Sequence, residues 1–313
     1  MGSTWSSEQI PDQSGRTAIV TGANSGLGLS VARELAKRGA RVVMACRNLE
    51  KGQRALQDVR AAAPNAEVEL GELDLASLAS IESFAIEFRS AQGEEGLDLL
   101  INNAGVMAPP RRETADGFEL QFGTNVLGHF ALTGRLISLM AGREDARVVT
   151  VSSNAHKIGR INFDDLQSER RYRRWGAYGQ SKLGDLLFAL ELDRRLRAAG
   201  STIKSMGAHP GYSATNLQTA APPLADAMIM RVTNLLVAQS ADMGALSLLY
   251  AATEPGLPSG SYAGPDGHGE HRGRPKVVRP SRAARDEATA SRLWEVCESL
   301  TSVHFDLGAP ARA

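Results

Sequence analysis

Tyr178 and Lys182 stand four positions apart at the start of a run whose apolar residues keep helical spacing as far as Ala199. Four residues is close to one helical turn, so the two side chains share a face. A free phenol titrates near pH 10 and exchanges protons poorly at neutral pH. An ammonium beside it favours the phenolate. Lowering the phenol by about three units takes roughly 4 kcal/mol of differential stabilisation, which suits a partly desolvated pair. A tyrosine and a lysine at this spacing are common on helices, so the pair gains meaning only from its surroundings.

A second stretch that can do chemistry is Thr21-Gly22-Ala23-Asn24-Ser25-Gly26-Leu27-Gly28. Glycines at 22, 26 and 28 let the backbone turn sharply and approach a pyrophosphate, which the following helix N-terminus holds. Asn24, Ser25 and Leu27 complete that loop as cofactor-binding candidates. Three residues separate the first two glycines, where the common dinucleotide fingerprint has one. The next strand ends in Ala45-Cys46-Arg47-Asn48. A carboxylate there would accept from a ribose 2′-hydroxyl; the guanidinium of Arg47 suits a 2′-phosphate instead. NADP(H) is therefore the expected cofactor, with NAD(H) also usable.

Positioning these groups requires a particular series of elements. Thr17–Thr21 reads as a buried parallel strand, followed by a helix from Gly26 to Arg38 with Gly39 as its C-cap. Further strands are expected at 41–45, 68–73, 97–101, 147–152 and 202–208. Helices are expected at 48–62, 78–91, 117–141, from near Tyr178 to Ala199, at 239–253 and at 283–300, with a Gly/Pro-rich segment at 255–275. Strand and helix alternate, which predicts an α/β fold: a doubly wound, Rossmann-like parallel sheet with helices on both faces. Residues 1–15 read as a polar tail, 16–305 as one domain and 306–313 as a C-terminal tail.

The 313 residues include 35 basic and 35 acidic side chains, a balance that offers no electrostatic footprint for nucleic acid. Cys46 and Cys297 match no metal spacing and fit a reducing compartment. Six histidines show no ligand pattern, and His268 and His271 read as solvated loop residues, so no metal is expected. No basic-then-apolar leader is visible and no stretch approaches 18 uninterrupted apolar residues. The chain is therefore expected to lack a transmembrane helix and to be cytoplasmic.

The glycine loop, Asn102-Asn103-Ala104-Gly105 after the fourth strand, and Tyr178-x-x-x-Lys182 together resemble the short-chain dehydrogenase/reductase family over residues 16–265. In such proteins a serine ends the strand before the tyrosine helix. Ser152 and Ser153 both qualify, and the resemblance points to Ser153 as the group that holds the substrate oxygen. It implies that Tyr178 exchanges the proton, Lys182 tunes it and binds the nicotinamide ribose, and Asn125 holds a water in a proton relay. It places adenine at Asp74 and Leu75, and the adenosine ribose along Asn103, Ala104 and Gly105. Pro210, Gly211 and Thr215 resemble the stretch that holds the carboxamide. A homo-oligomer, dimer or tetramer, is also implied.

Ser153 and Tyr178 are 25 positions apart, and the intervening text resembles the retinol dehydrogenase group and its bacterial relatives, with protochlorophyllide reductases also similar. That resemblance implies a lipophilic small-molecule substrate. Met228, Ile229, Met230, Val232, Leu235, Leu236 and Val237 make residues 212–238 a candidate apolar lid. Arg170, Arg171, Arg173 and Arg174 read as a solvated loop rather than a membrane or partner contact. Two other functions compete: a double-bond reductase, and an NADP(H)-sensing protein without catalysis. The intact Asn125, Ser153, Tyr178 and Lys182 set argues against the sensor.

Overall fold

The computed structural model describes residues 4–92, 96–212 and 240–307. Among the described residues, eight strands form one sheet: β1 (Thr17–Thr21), β2 (Arg41–Cys46), β3 (Val68–Glu72), β4 (Leu99–Asn102), β5 (Arg147–Val151), β6 (Lys204–Ala208), β7 (Tyr262–Pro265) and β8 (Pro275–Val277). Their order is β3-β2-β1-β4-β5-β6-β7-β8, and every pairing is parallel except β7 with β8. The expected doubly wound α/β architecture is present.

Both faces of the sheet are covered, which is why β1, β4 and β5 are buried along their whole length and are rich in apolar residues. Ile19, Val43, Leu100 and Val148 face one layer of the core, and Ala18, Val20, Val42 and Val149 face the other. The helices are α1 (Gly26–Lys37), α2 (Leu49–Ala62), α3 (Leu78–Gln92), α4 (Gly128–Leu136), α5 (Arg174–Ala198), α6 (Ala241–Thr253) and α7 (Glu287–Thr301). α5 is buried nearly all round between the sheet and α7. Trp294 on α7 lies 5.9 Å from the ring of Phe188 on α5, 5.0 Å from Phe130 and 4.5 Å from Phe305. That aromatic cluster clamps the helix that carries Tyr178 and Lys182.

Four expectations need correction. The N-terminal residues are no free tail: Trp5 and Ile10 are buried, and Trp5 donates to Glu254 at 2.8 Å while meeting Tyr250 edge-on. Two apolar residues in a polar stretch are enough to dock it. The long helix expected at 117–141 is present as one continuous helical run from 120 to 140, but it is not uniform: a π-helical stretch (Phe122–Leu127) leads into α4 and a 3-10 turn (Ile137–Met140) ends it. Glu119 starts it by accepting from the Gln121 and Phe122 N–H groups. The Gly/Pro-rich segment at 255–275 contains β7, and β8 begins within it; both are too short for periodicity to reveal. α5 begins at Arg174, one turn before Tyr178, so Arg174 and Trp175 belong to the helix. Among the described residues, no helix is long and apolar enough to cross a membrane.

Candidate active site

β1 is flanked by β2 on one side and β4 on the other, so the connections leaving their C-terminal ends diverge and open a crevice. The glycine loop lines it. Gly22 and Gly26 take left-handed φ angles of 67° and 57°, which glycine adopts without steric cost. Gly28 is required for space: a Cβ there would lie 2.5 Å from the Gly22 carbonyl oxygen and 2.6 Å from Asn103 Nδ2. Asn103 donates from Nδ2 to the Thr21 carbonyl at 2.7 Å, and the Asn103 and Ala104 N–H groups both donate to Thr21 Oγ1 at 2.9 Å. The loop and the end of β4 thus form one hydrogen-bonded unit. Ser25, at the N-cap of α1, does not cap the first turn with its side chain, which leaves that turn's N–H groups suited to an anion.

A cavity of about 770 Å³ occupies this crevice, lined by Gly22, Asn24, Ser25, Gly26, Leu27, Arg47, Asp74, Leu75 and Asn103 to Gly105. Every adenosine-end candidate except Gly28 lies on its wall. Gly28 acts from behind, by letting the loop close. Lys51 and Arg54, which drew no notice in the sequence, line the same cavity from α2. Arg47 is largely exposed, with Nη1 4.0 Å from Asp74 Oδ1.

The candidates for the reaction end lie where β5 meets α5. Ser152 is buried, and its hydroxyl donates to the Lys182 carbonyl at 2.7 Å. Ser153 is half-buried at the N-cap of a 3-10 turn (Asn154–Ile158), and its Oγ accepts from the Ala155 N–H at 3.2 Å. Its own proton is left for another acceptor. Gly159 holds this turn against α5 so closely that a Cβ would lie 2.1 Å from the Gly179 carbonyl oxygen. Tyr178 is buried beside the partly exposed Trp175, their rings edge-on at 6.0 Å. Lys182 Nζ lies 6.0 Å from the centre of the Tyr178 ring. It donates to the Val151 carbonyl at 2.9 Å and to Asp185 Oδ2 at 2.8 Å. A Cβ added to Gly105 would lie 3.0 Å from Asn125 Oδ1 and 3.7 Å from Lys182 Nζ, so the two ends of the crevice meet there.

Asn125 sits in the π-helical turn, a local geometry often found at functional sites. Its side chain is fully buried and committed within the protein. Oδ1 accepts from the Val106 N–H at 2.8 Å, and Nδ2 donates to the Val106 carbonyl at 3.0 Å and to Ser181 Oγ at 2.9 Å. Pro210 and Gly211 follow β6; Gly211 has φ 70°, and a Cβ there would lie 2.4 Å from the His271 carbonyl oxygen. Thr215 and the candidate lid from 213 to 238 lie outside the described residues.

A family model for the short chain dehydrogenase matches residues 16–223. The chain belongs to the short-chain dehydrogenase family. It is 43% identical to human retinol dehydrogenase 12 over 298 residues, covering 95% of this chain and 89% of that protein. Among solved structures, an uncharacterised protein from Mycobacterium paratuberculosis is 46% identical with a TM-score of 0.80, covering 97% of this chain and 99% of that one. A short chain dehydrogenase/reductase from Burkholderia phymatum, solved in complex with NAD, is 25% identical with a TM-score of 0.60, covering 77% of this chain and 86% of that one. This protein is thus a retinol dehydrogenase-like oxidoreductase of the family, and its cofactor is a nicotinamide dinucleotide. The crevice fits such a group, because the loop is cleared of side chains at the positions where a Cβ would block it.

Two parts of this short-chain dehydrogenase site were not legible in the sequence. His129 is fully buried between Thr21 and Asn125, with Nε2 3.0 Å from Thr21 Oγ1 and Nδ1 2.8 Å from the Asn125 carbonyl oxygen. Burial drives its pKa down to about 3, so it is neutral. A proton on Nδ1 then serves the Asn125 carbonyl, while Nε2 accepts from Thr21. His129 therefore ties the glycine-loop strand to the π-helical turn.

The second is Glu270, in the loop between β7 and β8. It accepts from Lys157 at 2.9 Å and lies 3.3 Å from buried His209, while its own carbonyl accepts from Asn154 Nδ2 at 3.2 Å. The next residue's carbonyl accepts from the Tyr212 N–H at 2.7 Å. This loop therefore braces both the Ser153 turn and the 209–212 segment. The His209 imidazole 3.3 Å away, together with the Lys157 ammonium, holds the Glu270 carboxyl down to about 2 from its ordinary 4.5. A folded-state value below the unfolded one contributes stability above about pH 4.5 that is lost as pH falls toward 2. Thermal melts across that window are expected to show the gap between wild type and Glu270→Gln closing as pH falls. A constant gap would contradict the assignment.

Proposed function

We propose that this short-chain dehydrogenase interconverts a lipophilic alcohol and its aldehyde or ketone with NADP(H), using Tyr178 as general acid and base. The observation that carries this reading is Lys182, buried with its ammonium 6.0 Å from the Tyr178 ring and beside the Gly105 end of the cofactor crevice. The bound cofactor supplies or accepts the hydride at carbon. Tyr178 gives the proton to the oxygen in reduction and takes it in oxidation. Lys182 favours the phenolate by its charge, and its remaining N–H serves the ribose or the phenol. Ser153 donates its hydroxyl proton to the substrate oxygen and fixes its orientation. Asn125 holds the wall between these groups through Val106 and Ser181. A relay through this residue would have to use its carbonyl, which is also the acceptor for His129.

The lipophilic part is supported by the similarity to retinol dehydrogenases and by the rim of the site. Trp175 is 47% exposed and Ile158 74% exposed, on the two elements that frame Tyr178 and Ser153. An NADPH-consumption screen over retinal, long-chain aldehydes, steroids and quinones tests it. Turnover confined to small polar carbonyls would refute it.

The NADP(H) preference is supported by Arg47, Lys51 and Arg54 on the cavity wall. A charge-assisted hydrogen bond contributes about 1.5–3 kcal/mol, so Arg47→Leu is expected to weaken NADPH binding roughly ten- to a hundredfold and NADH binding little. Equal affinities of the wild type for the two cofactors, measured by fluorescence titration, would sink the preference.

A further inference from the structure

We propose that Asp185 is a positioning residue for the Tyr178–Lys182 couple: its carboxylate holds the lysine ammonium and sets the pH at which the couple exchanges protons. The inference rests on the reading of those two residues as the proton-exchanging pair.

Asp185 lies one turn beyond Lys182 on α5, and both side chains are buried. Lys182 Nζ donates to Asp185 Oδ2 at 2.8 Å and to the Val151 carbonyl at 2.9 Å. An ammonium has three N–H donors. Two are spent in fixing it, and the third remains for the phenol or the cofactor. The other carboxylate oxygen, Oδ1, is buried without a hydrogen-bond partner among the described residues. A buried carboxylate satisfied on one side only is a poor device for stability, because breaking even with a neutral residue requires both oxygens to be paired. What it supplies instead is a negative charge against the lysine.

The titratable groups around the pair come from several elements. Tyr178 shares α5, His129 faces Lys182 from α4, and Tyr262 on β7 faces Tyr178. His129 is neutral, and the neighbouring Ser152, Ser181 and Asn125 contribute dipoles rather than charge. Burial pulls the Lys182 ammonium down, but the charges of Asp185 and Tyr178 more than offset it, and Lys182 stays above its ordinary range. Burial pushes the Asp185 carboxyl up to about 6, against the opposing pull of Lys182. Asp185 is thus ionised at neutral pH and loses its charge in mild acid. A negative charge raises the proton affinity of every group it faces, so removing it lets both Tyr178 and Lys182 release protons at lower pH.

The substitution Asp185→Asn keeps the shape and removes the charge. Ultraviolet titration of tyrosinate, taken as the difference between each protein and its Tyr178→Phe counterpart, reads Tyr178 without any substrate. The expected midpoint in D185N lies about one pH unit below that of the wild type. The acid limb of kcat/KM for alcohol oxidation moves in the same direction, and the two profiles converge below about pH 6, where Asp185 is itself protonated. A purely structural role would not produce that convergence. Asp185→Ser gives the same displacement and guards against a folding defect peculiar to one variant. Coincident Tyr178 titrations in all three proteins overturn the proposal. Full turnover in Tyr178→Phe overturns instead the assignment beneath it, and the two failures are told apart by which measurement reports them.

Discussion

Replacing Tyr178 with Phe is expected to lower kcat by about 10²–10⁴-fold, the usual contribution of a positioned general acid or base, while NADPH affinity changes little. The structure makes this substitution unusually clean. Among the described residues the Tyr178 hydroxyl has no hydrogen-bond partner, so its removal strands no donor or acceptor. The ring keeps its edge contact with Trp175, and the Lys182 ammonium keeps Val151 and Asp185. Initial-rate kinetics beside a fluorescence titration of NADPH separate chemistry from binding. Turnover equal to the wild type would refute the mechanism, whatever the substrate.

The second large effect is expected at Gly28. A Cβ there meets a backbone oxygen at 2.5 Å and Asn103 Nδ2 at 2.6 Å, and neither can yield, since Asn103 is bound to Thr21. Gly28→Val is expected to destabilise the fold by about 1–3 kcal/mol, as overpacking does. It should also cost more than about tenfold in NADPH affinity, because a shift of the loop breaks charge-assisted hydrogen bonds to the pyrophosphate. Gly176 supplies the control. A Cβ there meets only the Arg173 side chain at an ordinary 3.5 Å, so Gly176→Ala should melt no lower than the wild type and bind NADPH as the wild type does. Wild-type affinity in Gly28→Val would show that the loop does not hold the cofactor.

The chain's own text determined a good deal. β1, β2, β4 and β5 are apolar on both faces because helices cover both, so short hydrophobic runs marked them without any knowledge of the fold. The alternation of those runs with helical segments identified the doubly wound sheet. Glycines at fixed offsets marked the loop, because only glycine meets its φ angles and clearances. Tyr178 and Lys182 share a face by helix geometry alone.

Tertiary structure decided the rest, because the remaining features depend on groups that are distant in sequence. Trp5 docks by bonding Glu254, 249 positions away. The short β7 and β8 exist because β6 offers an edge to pair with, a fact no local pattern carries. Ser152 and Ser153 are chemically identical neighbours; only the approach of the Lys182 carbonyl turns one into a brace and leaves the other its proton. His129 and Glu270 acquire their roles from Thr21 and His209, each more than 50 residues removed. Even Asp185, three residues from Lys182, could have been an ordinary surface acid on the same helix. Burial of α5 from Ala177 to Ala189 makes it otherwise: it strips water from the pair, and a carboxylate without water acts on the nearest ammonium.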